Sequence, residues 1–231
     1  MKAVPGEPSS VEATTQTSQE GRGWRSWHTL WVLLLLGWTV SAADRAVTGP
    51  VVTWMIDNGV GFLADAENPH ALGGLVGGLF FAGYMLTQFP GGYLGDRYGH
   101  RTLIVVSLLW AGVATMLTGF IGGLVAFIVV RVVTGLGEGA FYSNDRTLIT
   151  ATTPERDRSL AMGVVITGLS LGITIAIVFT PELVALGEVF LDHVEAWRMV
   201  FWVLGLGTVI VGAIVAWWFR SHLTLGGLGK A

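Results

Sequence analysis

The chain has 231 residues, 52% of them hydrophobic and only 13% charged, with a formal net charge of −3. Soluble domains carry about 25% charged residues, so this composition belongs to an integral membrane protein, and no basic patch points to a nucleic-acid partner. Cysteine is absent, which excludes a disulfide framework, a thiolate nucleophile and a Cys-based metal site.

Residues 1–26 are polar and rich in Ser, Thr, Glu and Gly; they read as a disordered cytoplasmic tail. A transmembrane bundle is expected over 27–222, followed by a short cytoplasmic tail at 223–231. Within the bundle six apolar segments run over 29–56, 72–94, 101–121, 123–144, 159–182 and 197–219. Each is long enough to span as a helix, which takes about 20 residues. The first also has the outline of a secretory signal, a basic start followed by an apolar run and small residues. That reading is set aside because apolar character resumes at once in AVTGPVVTWMI.

Lysine and arginine set the expected orientation. Arg97, Arg101, Arg146, Arg156, Arg158 and Arg220 fall on one side, together with the basic residues of both ends. The loops at 57–71 and 183–196 carry no Lys or Arg but hold Asp57, Asp65, Glu67, Glu188, Asp192 and Glu195. The positive-inside rule then places both termini in the cytoplasm, in a bacterial inner membrane or a plasma membrane. The expected fold is all-α, with six transmembrane helices in a 3+3 inverted repeat; the two triplets show no clear sequence identity.

Between the second and third segments stands GGYLGDRYGHR, residues 91–101. Its glycines suit positive φ and close backbone approach. Asp96 is expected to cap the following helix, and Arg97 and Arg101 to hold the loop at an anionic leaflet. Gly92, Leu94, Gly95, Asp96, Arg97, Gly99 and Arg101 fit the pattern G-x-L-(small)-D-R-x-G-(basic)-(basic), with His100 in the first basic place. The stretch resembles the signature loop of the Major Facilitator Superfamily and stands between the matching helices. The resemblance covers the chain after residue 26 and corresponds to the first six helices of a twelve-helix fold. It implies that this loop is a gate, in which Asp96 locks the second helix to a helix of the other half.

Four ionisable residues lie inside predicted spans: Asp44, Arg45, Arg131 and Glu138. Such charges cost at least about 2.5–3.5 kcal/mol at mid-bilayer, so they pair or face a cavity. Arg131 and Glu138 are two helical turns apart on nearly one face, too far to touch, whereas Asp44 and Arg45 point about 100° apart and need no common partner. Gly49-Pro50 is expected to interrupt the first helix. DRAVTGP in the first segment, RxxxGxGEG in the fourth, and Trp197, Arg198 and Phe201 in the last are similar to the anion:cation symporter branch of the superfamily. The branch implies movement of a small organic anion, such as a sugar acid, with protons or with sodium. By that resemblance Asp44 and Glu138 are proton-coupling carboxylates, and Arg45 and Arg131 either neutralise them or face the substrate. Tyr84 is a hydrogen-bond donor to substrate or a packing residue. Asn144, Asp145 and Arg146 read as interface anchors.

No metal or cofactor is expected, because the five histidines are scattered, and neither H-E-x-x-H nor G-x-S-x-G occurs; an enzyme is excluded on those grounds. The partners expected are the anion, the coupling ion, membrane lipid and a second six-helix bundle. Without that bundle the four charges are expected to open onto lipid. The rival reading is a non-transporting membrane assembly or regulatory subunit that keeps the half-fold.

Overall fold

A computed structural model describes residues 24–223, and the elements in it are all helical. Most of the two expected tails lies outside the described residues. Helix α1 spans Ser26–Asp57, α2 is a single turn at Gly61–Ala64, α3 spans Pro69–Tyr98 and α4 His100–Thr118. After them come α5 at Leu124–Thr152, α6 at Arg158–Phe190 and α7 at Arg198–Leu223, with 3₁₀ turns at Glu155–Asp157 and His193–Glu195. Six of these helices, all but α2, are long and apolar enough to cross a membrane.

Several helices outrun the apolar stretches that mark them, whereas α4 stops at Thr118, short of the expected 121. Helix α3 continues to Tyr98 and α5 to Thr152, because hydropathy ends where the lipid ends, whereas a helix ends where the backbone is stopped. For α3 the stop is Gly99, with φ +92°, a conformation that disfavours any side chain. For α5 it is Thr153, extended ahead of Pro154, as the residue before a proline tends to be. Pro50 does not interrupt α1, which is continuous through it. Val47, Thr48, Val51 and Val52 around the proline are buried, and neighbouring helices hold that stretch in register.

The pairing of helices shows the inverted repeat. The triplets are α1, α3, α4 and α5, α6, α7. The most extensive packing is α3 on α5, α1 on α6, and α4 on both α5 and α7, with α1 on α7 less extensive. Exchanging the triplets maps α1–α6 onto α5–α3, α4–α5 onto α7–α1, and leaves α4–α7 in place. Glycines permit the close crossings. A Cβ at Gly91 would stand 2.8 Å from Ala140 Cα, and one at Gly112 2.8 Å from the Val209 nitrogen. Two apolar clusters fill the bundle. One gathers Met55, Leu63, Trp197 and Phe201 near the α1–α3 and α6–α7 connections. The other gathers Leu34, Trp38, Ile149 and Phe219 near the α3–α4 hairpin. A belt of polar side chains lies where they meet.

Candidate functional site

The belt is built from one face each of α1 and α5. Arg131 is fully buried and held by four contacts from one helical turn of α1. Its Nη1 donates to Asp44 Oδ1 and Oδ2 at 3.0 and 3.2 Å. Its Nη2 donates to the Asp44 carbonyl at 3.1 Å and to Thr48 Oγ1 at 2.7 Å. The rings of Phe80 and Phe201 lie 4.9 and 5.6 Å from the guanidinium carbon. Two turns along α5, Glu138 accepts from Ser41 Oγ at 2.7 Å and pairs with Arg45 Nε at 3.3 Å. Arg45 also donates from Nη2 to Ser41 Oγ at 3.3 Å and lies 5.0 Å from the centre of the Tyr84 ring. Neighbours on α1 therefore pair with residues seven apart on α5, as their divergent directions require.

This arrangement corrects one expectation. The four charges do not open onto lipid: Asp44, Arg131 and Glu138 are buried inside this bundle alone, and each has an opposite charge beside it. Arg45 is the most accessible, with 12% of its side chain exposed. It borders a cavity of about 320 Å³ whose other walls are Ala42, Ala46, Phe81, Leu169 and Ile173.

The hairpin residues form a separate group. Asp96 does not cap α4; it lies in the last turn of α3, 75% exposed, and pairs with His100 Nε2 at 3.3 Å. Because α3 runs to Tyr98, the N-cap position of α4 falls to Gly99. A Cβ at Gly95 would collide with Asn144 Oδ1 and His100 Nδ1. Arg97 lies over Tyr98, and Arg101 over Phe219. Gly92 has only an ordinary contact, with Ser143 Cβ at 3.7 Å from the place of a Cβ.

Asn144 and Asp145 are not interface anchors, for both are fully buried. Asn144 Nδ2 donates to the carbonyls of Gly91 and Ala140 at 3.0 and 2.7 Å, and its Oδ1 lies 2.7 Å from His100 Nδ1. Asp145 Oδ2 accepts from Trp38 Nε1 at 2.6 Å. The signal was available in spacing: 131, 138 and 145 are seven apart and share one stripe of α5.

Residues 34–226 match the sequence profile of the Major Facilitator Superfamily. The chain is 36% identical over 140 residues to the "Probable anion transporter 6, chloroplastic" of Arabidopsis thaliana, covering 59% of this chain and 25% of that protein. It is 34% identical over 149 residues to a probable sulfoacetate transporter of Cupriavidus necator, covering 64% and 33%. A quinolone resistance transporter of Acinetobacter baumannii is 30% identical over 191 residues, covering 82% and 42%. The chain thus spans about a quarter to two fifths of these relatives. In fold it is similar to a bacterial homolog of the human lysosomal transporter Spinster, solved inward-facing and occupied. That likeness has a TM-score of 0.72 at 22% identity and covers 84% of this chain and 45% of that one. These relatives are transporters, not enzymes.

Proposed function

Because the chain belongs to the Major Facilitator Superfamily, we propose that it is the N-terminal six-helix half, or a fragment, of a secondary transporter that carries a small organic anion together with protons. The observation that carries this reading is the Arg45–Glu138 pair beside an otherwise apolar cavity. A proton on Glu138 removes the negative partner of Arg45. The guanidinium is then free to bind a carboxylate or sulfonate in its bidentate fork. Asp44 and Arg131, joined through Nη1 and tied to the α1 backbone and Thr48 through Nη2, keep the frame rigid while this happens, and Tyr84 supplies the face on which Arg45 rests. The anion and sulfoacetate transporters among its relatives support an anionic substrate. The charge asymmetry of the loops supports cytoplasmic termini. On this reading the Asp96–Arg97–Arg101 hairpin is the gate against the second half.

The test is proton-driven uptake of a labelled sugar acid into proteoliposomes holding the complete transport-competent assembly. Glu138→Gln mimics the protonated state, so we expect retained substrate exchange and an accumulation lower by about tenfold or more, equivalent to at least about 1.4 kcal/mol. Full accumulation with unchanged pH dependence would falsify the coupling role. One observation favours a second reading, a non-transporting assembly or regulatory subunit: both ion pairs close within this chain, so the bundle needs no second half to satisfy them. The chain reconstituted alone is expected to show no concentrative uptake, which a monomer accumulating substrate against a gradient would contradict.

A further inference from the structure

The stripe of α5 that carries Arg131 and Glu138 continues to Asp145, which nothing in the proposed cycle uses. Asp145 differs from Asp44 in its surroundings. Both oxygens of Asp44 are taken by Arg131. At Asp145 the side-chain donor is Trp38 Nε1, on Oδ2, while the buried Oδ1 has no side-chain hydrogen-bond donor among the described residues. The charge that faces it is Arg146, whose Nε lies 3.5 Å from Oδ1. From α1 comes neutral Trp38, and from α6 Met162, whose sulfur takes Arg146 Nη1 at 3.2 Å. Arg146 lies over the rings of Trp38 and Tyr142, and 27% of its side chain is exposed. A buried carboxylate, one oxygen of which has no closer partner than that ion pair, is thus joined to the surface by a single guanidinium. Seven residues, about 10 Å of helix, separate it from Glu138.

We propose that Asp145 is a second proton-carrying carboxylate, set between Glu138 and the hairpin end of the bundle, through which Glu138 exchanges its proton with that side. The inference rests on the proton-coupled reading above. The O–H bond of the Asp145 carboxyl breaks, and its proton crosses the α1–α5 seam, which buried Trp38, Ser41 and Phe141 close in this structure, so the relay requires that seam to open to water during the cycle. An O–H bond then forms on Glu138, and Asp145, left as a carboxylate, takes its next proton past Arg146.

Asp145→Asn keeps an acceptor for Trp38 and removes the proton site together with the negative partner of Arg146, whereas Asp145→Glu keeps both. Two measurements test the inference. In the purified chain, infrared difference spectra across a pH titration should contain a carboxylic-acid C=O band that Asp145→Asn deletes and Glu138→Gln leaves in place. In the complete assembly, Asp145→Asn should lower proton-driven accumulation by about tenfold while sparing substrate exchange, and Asp145→Glu should restore it. The absence of any Asp145-dependent band overturns the inference and leaves the role of Glu138 standing. So does full accumulation by Asp145→Asn when Glu138→Gln has lost it. If Glu138→Gln also accumulates fully, the coupling reading falls and this inference falls with it.

Discussion

Arg131 shows what a buried ion pair does for such a bundle. Removing it leaves the buried Asp44 without the guanidinium that both its oxygens accept from. Arg131→Met should therefore destabilise the chain by about 3–5 kcal/mol, and the double change Asp44→Leu with Arg131→Met should recover most of the loss. Apparent melting in mild detergent, followed by tryptophan fluorescence, reads both. A double variant as unstable as the single one would show that the pair is needed for more than charge balance. The four intramembrane charges were legible in the sequence because hydrocarbon makes them conspicuous. Their pairing was not, since it depends on the rotation of α1 against α5. Asp145 reads as an interface anchor in the sequence for a different reason. The apolar run ends beside it, and only Trp38 on a distant stretch of chain makes that position an interior one.

Among the elements, the α3–α5 contact is the most dependent on small residues. A Cβ at Gly139 would strike the Tyr84 carbonyl and Thr87 Oγ1, whereas one at Gly78 would meet nothing within 4 Å. Gly139→Ala should cost about 1–3 kcal/mol through forced separation of the helices. Gly78→Ala should be neutral or stabilising by up to about 1 kcal/mol, because alanine is the better helix former. Equal melting shifts for the two would mean that helix propensity, not the crossing, decides the outcome. The number and order of the spanning helices were readable from apolar runs of spanning length. Their ends were not, because Gly99 and Thr153 stop the backbone several residues beyond the apolar segments. The capping role first assigned to Asp96 failed for the same cause: α3 runs one turn too far for Asp96 to precede α4.

For the whole molecule, the six spans predict that cysteines placed at Asp65 and Arg156 react with an impermeant reagent from opposite sides of the membrane, and the loop charges predict that Asp65 is the outer one. Labelling of both from one side would reject the six-span arrangement. The inverted repeat could be inferred from the sequence only as three helices followed by three; packing displays it, since the helix pairs survive exchange of the triplets. The crossed pairing of Asp44 with Arg131 and of Arg45 with Glu138 has an electrical consequence. Two acids and two bases sum to zero. On the proton-coupled reading proposed above, one proton on Glu138 would make the cluster a net cation, and one bound monoanion would make it neutral again. Loaded and empty clusters then carry the same charge, so the membrane voltage, worth about 2.3 kcal/mol per elementary charge at 100 mV, favours neither. Insofar as this half sets the charge, uptake of a monocarboxylate should follow an imposed pH gradient and ignore a potassium diffusion potential set with valinomycin. A dianion taken up with the same single proton would instead be repelled by a negative interior.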